Sequence, residues 1–166
     1  MARHVEIGFK KRKVSCIARL IEDDAPGTCE AVWNALPIEG ETFHAKHSGN
    51  EVFTLVRPFA VVEPGLENAT FIPDMGDVCY YYFEKTLFPK KFLEREGFVG
   101  APGLIDLAIF YGPDNLVMWG PKGFVHGSRF ARVVRNLPAF ADACYDVFRG
   151  GGRGERLRFA RAKARR

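Results

Sequence analysis

Two runs near the start of the chain alternate with a period of two, and this alternation constrains the fold more than any other feature. Residues 3 to 9 place Val5, Ile7 and Phe9 on one side, and residues 14 to 21 place Val14, Cys16, Ala18 and Leu20 on one face. Alternation of this kind marks strands with one buried side. Lys10, Lys11, Arg12 and Lys13 stand between the runs and suit an exposed hairpin turn better than a nucleic-acid patch.

The segment EDDAPGTCEAVWNALP then changes period. Cys29, Val32, Trp33 and Leu36 are spaced i, i+3, i+4, i+7, which is one helical stripe. Asp24 is the expected N-cap, Pro26 suits the first turn, and Pro37 ends the helix. Strand-like runs follow at 42–48, 51–56, 78–83, 107–111 and 130–134, divided by turns rich in Gly, Pro, Asn and Asp. A second helical stripe carries Leu137, Phe140, Cys144, Val147 and Phe148 between Asn136 and Gly150, and a closing strand is expected at 156–159.

The expected fold is therefore mainly β: a closed antiparallel barrel of about eight strands with two capping helices. One domain over residues 1–160 is expected, with a basic tail at 161–166. At 166 residues, roughly 70% of the unfolded surface can be buried, so neither metal nor disulfide is needed for a core. Cys16, Cys29, Cys79 and Cys144 form no CxxC pair and no zinc-like spacing, and buried reduced thiols are expected with no metal and no cofactor.

Charge is unevenly placed. Residues 151 to 166 hold seven basic side chains against Glu155, a net +6, which leaves −2 for the first 150 residues out of a total of +4. Such an end attracts acidic partners weakly, but nucleic acid is not the expected partner of a body this close to neutral. No apolar run reaches about 18 residues, and no apolar segment follows the basic N-terminus, so a cytoplasmic protein without a membrane partner is expected. The 84–106 connection carries Phe88, Phe92, Leu93 and Phe98 among charges and glycines. A lid, a short packed helix or a homo-oligomer contact would each use it.

Three polar clusters carry the candidate chemistry. His44, Lys46 and Ser48 fall on one face if 42–48 is a regular strand, with Glu51 close by. His44 is the candidate general base, its ring oriented by Glu51 or Glu67; Lys46, Ser48 and Glu51 are candidate ligand contacts. His47 points away from His44 on such a strand, against a shared metal site. In the second cluster, Glu67 can take a proton, Asn68 can both donate to and accept from an amide, and Tyr81 on the YYY strand offers an apolar wall with a hydroxyl tip. Asp77 is expected in turn hydrogen bonds. The third, His126, Ser128 and Arg129, lacks the spacing of a nucleophile and its base.

The stretch DDAPGTCEAVWNALP resembles the first-helix signature of cyclophilins at Asp24, Ala25, Pro26, Thr28, Cys29 and Leu36. FHAKHSGNEVF, ENATFIPDMGDVCYYYF and LAIFYG resemble a bacterial family of small cyclophilin-like proteins of unknown function, and the match runs from about Val5 to Phe159. The resemblance implies a closed, roughly eight-stranded barrel with a helix over each end. It does not carry prolyl isomerisation across, because Phe43-His44 is followed by Ala45 where isomerases of that type have an arginine. The expected function is binding of, or proton-transfer chemistry on, a small polar amide, imide or carboxylate held at the barrel mouth by His44, Glu67, Asn68 and Tyr81. Peptidyl-prolyl isomerisation and a non-enzymatic interaction module built on the basic tail are the rivals.

Overall fold

The computed structural model describes residues 2–119 and 123–163. The first alternating pair forms β1 (His4–Phe9) and β2 (Val14–Leu20), joined by the turn at 10–13. Helix α1 (Pro26–Ala35) follows, then β3 (Ile38–Glu41), β4 (Phe43–His44), β5 (Glu51–Val56), β6 (Ala69–Thr70) and β7 (Asp77–Glu84). A single 3-10 turn at Lys85–Leu87 leads to α2 (Lys90–Arg95), β8 (Gly103–Phe110), β9 (Gly127–Arg135), α3 (Leu137–Gly150) and β10 (Arg156–Arg161).

All strand pairings are antiparallel, in the order β3-β10-β1-β2-β9-β7-β8-β5-β4, with β6 added on β9. The two ends of this order, β3 and β4, are separated in the chain by Thr42 alone. One segment therefore pairs with β10 at one end and with β5 at the other, and the sheet becomes a nearly closed barrel. Ten strands are present among the described residues where about eight were expected, because β3 and β6 are too short to show alternation. The expected strand at 42–48 is paired only at Phe43 and His44; residues 46–50 turn back so that β4 meets β5, with Phe43 opposite Phe53.

Inward residues of the barrel, among them Ile7, Phe130, Leu107 and Phe159, form the main core. α3 adds Phe140, Cys144 and Val147, with the Phe140 ring stacked on Phe9 at 4.9 Å. Cys29 and Val32 of α1 are fully buried, and all four cysteines are buried free thiols. The α1 cap differs from expectation: Ala25, not Asp24, is the N-cap residue and supplies no side-chain hydrogen bond. Asn136 does precede α3, but its amide donates to the Ser15 carbonyl instead of capping the helix.

β8 is buried at all eight positions. Its inner face, Ile105, Leu107 and Ile109, joins the main core, while Ala108 and Phe110 join a second apolar cluster on the outside of the barrel wall with Cys79, Tyr81, Phe83 and Val117. The 3-10 turn, α2, Val117, Met118, Trp119 and Val125 cover that outer face. A strand buried on both sides loses its alternation.

Arg161, counted above with the tail, ends β10. Its guanidinium lies 4.8 Å from the Trp33 ring centroid and donates to the Trp33 carbonyl. Residues 164–166, including Arg165 and Arg166, lie outside the described residues. No described helix is long and apolar enough to cross a membrane.

Candidate functional site

Between the outer face of β5, β8 and β7 and its helical cover lies a cavity of ≈ 530 Å³. This is the size range of small-molecule sites. Phe43, Phe53, Phe83, Phe88, Phe92 and Trp119 supply aromatic walls, and Lys46, Ser48, Glu51, Tyr81 and Asp106 supply the polar groups. The walls interlock: Phe88 stacks on Phe92 at 5.5 Å, and Trp119 lies 5.1 Å from Phe83 and 5.4 Å from Phe88. α2 thus acts as a roof rather than a barrel-end cap.

The polar floor arises from strand parity. Asp106 stands between Ile105 and Leu107, whose side chains enter the main core, so its own points to the outer face. Tyr81 is directly opposite it on β7. Across β9 the Tyr81 ring lies over Gly127, where any Cβ would overlap it. Gly127 is thus required by the close approach of the ring.

Four carboxyls are buried in the described barrel: Glu51, Asp77, Asp106 and Glu155. Two are partnered. Asp77 is paired with Arg132 at 3.2 Å and Arg129 at 3.5 Å and takes the Asp74 N–H. Glu155 accepts from the backbone N–H groups of Lys11, Arg12 and Arg156 and from the Arg12 guanidinium. The other two, Glu51 and Asp106, are in the cavity and make no ion pair among the described residues. Asp106 Oδ1 and the Tyr81 hydroxyl are buried without a hydrogen-bond partner, although their residues are only 6% and 2% exposed. The Cys79 thiol beside Tyr81 is too weak a partner to satisfy the hydroxyl.

These surroundings disfavour charge. Burial pushes Glu51 up to about 7, against the opposing pull of the Ser48 hydroxyl. Asp106 is driven well above the usual carboxylate range by burial and then by the neighbouring Glu51. Tyr81 and Cys79 are raised as well, by burial first. Burial therefore favours the protonated forms of these groups, with Glu51 divided between its two forms near neutral pH, and the floor can both donate and accept hydrogen bonds.

Of the residues named from sequence, Lys46, Ser48, Glu51 and Tyr81 come together here. His44, Glu67 and Asn68 do not. His44 Nδ1 donates to the Ala45 carbonyl at 2.7 Å, which leaves Nε2 to accept from the Tyr111 hydroxyl at 2.7 Å. Both ring nitrogens are engaged, and neither Glu51 nor Glu67 orients the ring. Burial lowers its pKa, in line with a neutral imidazole. His44 lines a neighbouring groove with Thr42, Phe148 and Arg153.

Glu67 is bound to the start of α1 instead. Its carboxylate accepts from Gly27 N–H at 3.1 Å and from the N–H and hydroxyl of Thr28, both at 2.7 Å. It caps the first turn of α1 from 40 residues away, which accounts for the missing local cap. Burial opposes its ionisation, but the Thr28 and Gly27 hydrogen bonds outweigh burial and hold the carboxyl below its ordinary range. Asn68, at φ 47°, exchanges hydrogen bonds with Arg129 through both side-chain atoms. Ser128 donates to the Gly65 carbonyl and accepts from Glu67 N–H, while His126 packs edge-on against Phe71. The expected mouth pocket is thus replaced by a cavity on the barrel's outer wall.

Asp106 is the residue that sequence reasoning missed. Its signal was there: in GLIDLAIF, a period of two groups it with Leu104, Ala108 and Phe110, an otherwise apolar face. A carboxyl on such a face is buried or at a site.

Comparison with solved structures supports the same architecture. The chain aligns with McbB, solved in complex with tryptophan, at 18% identity and a TM-score of 0.60, over 98% of this chain and 46% of that one. It therefore spans about half of McbB's length. A cyclophilin type peptidyl-prolyl cis-trans isomerase from Cryptosporidium parvum aligns at 9% identity and a TM-score of 0.52, over 99% of this chain and 100% of that one. At these identities the likeness is one of fold, and the fold is cyclophilin-like. No curated protein matches the chain. Residues 7–159 match the family described as "Protein of unknown function (DUF3830)", and the chain belongs to that family.

Proposed function

We propose that this protein binds a small molecule with an apolar, ring-sized body and a polar head, held in the outer-wall cavity with its head on Tyr81, Asp106 and Glu51. One observation carries the reading: Asp106 and Tyr81, opposite one another on β8 and β7, both line an aromatic-walled cavity, and Asp106 Oδ1 and the Tyr81 hydroxyl are each buried without a partner among the described residues. Leaving such a group unsatisfied costs about 1–3 kcal/mol, and a ligand that hydrogen-bonds to both offsets that cost. Lys46 at the rim suits a carbonyl or carboxylate at the ligand's other end. A head that donates hydrogen bonds meets the carboxyls of the floor, and the aromatic walls set the body.

A thermal-shift panel of benzamide, phenylacetamide, hydantoins, aromatic amines and indoles tests this. Indoles earn a place because McbB was solved with tryptophan. A ligand at about 100 times its Kd stabilises by about 2.7 kcal/mol, a rise of several degrees for a domain of this size. The reading expects at least one such rise, absent in Asp106→Leu. No rise, or one that persists undiminished in Asp106→Leu, overturns it.

A further inference from the structure

Among the described residues, the fold partners Asp77 and Glu155 with arginines and backbone N–H groups, yet gives Glu51 and Asp106, which line one cavity, no ion-pair partner. Deepening the reading above and resting on it, we infer that the polar head of the ligand is an organic cation, a primary or secondary ammonium group that seats on Glu51 and Asp106 beneath the aromatic rings. Three observations converge on that class. Two carboxyls offer more acceptor capacity than any neutral head requires. Asp106 Oδ1 is itself buried and has no hydrogen-bond partner among the described residues. Phe53, Phe83 and Trp119 line the same cavity, and aromatic rings attract a cation once it is desolvated.

The groups facing the pair are Ser48 on the 46–50 turn and Cys79 and Tyr81 on β7, none of them cationic, with Lys46 and His47 at the exposed rim. An ammonium ion entering this floor favours the ionised carboxyls. A proton therefore leaves the pair for solvent as the cation binds, and no covalent bond changes.

Isothermal titration with benzylamine, phenethylamine and tryptamine, each beside its neutral counterpart (benzyl alcohol, 2-phenylethanol, indole-3-ethanol), reads both features. The amines are expected to bind at least tenfold tighter than the alcohols, and their affinity to rise by up to about tenfold per pH unit from pH 5.5 to 6.5, with proton release seen as a buffer-dependent heat. The shape-preserving double variant Glu51→Gln/Asp106→Asn is expected to lose the preference for amines while keeping its affinity for the alcohols. Alcohols that bind as tightly as amines, or amine binding flat with pH and free of proton release, overturn the cationic head and leave the pocket reading standing. If no panel compound of either kind binds, both fall.

Discussion

Tyr81 and Asp106 face each other across the β7–β8 pairing, and the Tyr81 hydroxyl and Asp106 Oδ1 are both buried without a hydrogen-bond partner. Elsewhere the barrel satisfies its buried carboxyls with arginines and backbone N–H groups. The exception lies in the wall of a cavity, which is the ground for the binding reading proposed above.

Asp106→Leu removes a buried carboxyl whose Oδ1 has no hydrogen-bond partner among the described residues and fills its place with an apolar side chain of similar size. The unliganded protein is expected to gain about 1–3 kcal/mol, read as a higher midpoint in urea with an unchanged slope. A loss of stability would mean that Asp106 has an internal partner.

The pH dependence has a definite sign. Glu51 and Asp106 have raised folded pKa values, so between the ordinary carboxylate range and about 7 the native state holds more protons than the unfolded chain, and stability falls as pH rises. His44, with its lowered pKa, works in the opposite direction below 6.5, so the comparison is made against Glu51→Gln/Asp106→Asn. The stability advantage of that variant is expected to grow as pH rises from about 4.5 to 7, by at most about 1.4 kcal/mol per pH unit for each proton involved. Parallel curves from urea melts would contradict it.

Glu67→Ala strips the N-terminal cap from α1. A cost of about 0.5–2 kcal/mol is expected, partly recovered by Glu67→Gln, with affinity for the cavity ligand unchanged. Loss of ligand binding at unchanged stability would return Glu67 to the site.

His44→Ala breaks the Ala45–His44–Tyr111 chain and empties the space against Phe148. The expected result is a protein less stable by about 1–2 kcal/mol whose ligand affinity changes less than threefold. A large loss of affinity or turnover in a stably folded His44→Ala variant would make the imidazole part of the chemistry.

The sequence made some features legible because they are local. β1 and β2 follow from alternation, and α1 and α3 from helical stripes of Cys29, Val32 and Phe140, Cys144. The closing segment was not legible, since β3 and β4 are too short to show a period and Thr42 breaks their parity. β8 hid its register because both of its faces are covered, and Asp106 was hidden with it. Lys46, Ser48 and Glu51 were legible as a concentration of polar groups and Tyr81 as an apolar wall with a hydroxyl tip, and all four line one cavity. The placement of Glu67 and Asn68 rests on contacts with Thr28 and Arg129, 39 and 61 residues away, which no local pattern records.

The most direct test of the outer-wall site is an amide chemical-shift map, made by titrating the isotope-labelled protein with whichever compound gives the largest thermal shift. The account predicts saturable perturbations centred on residues 51–55, 79–83 and 104–108, with the α2 roof responding in step. Perturbations centred instead on β1, β10 and β3, or on the α1 cap around Thr28 and Glu67, would contradict it.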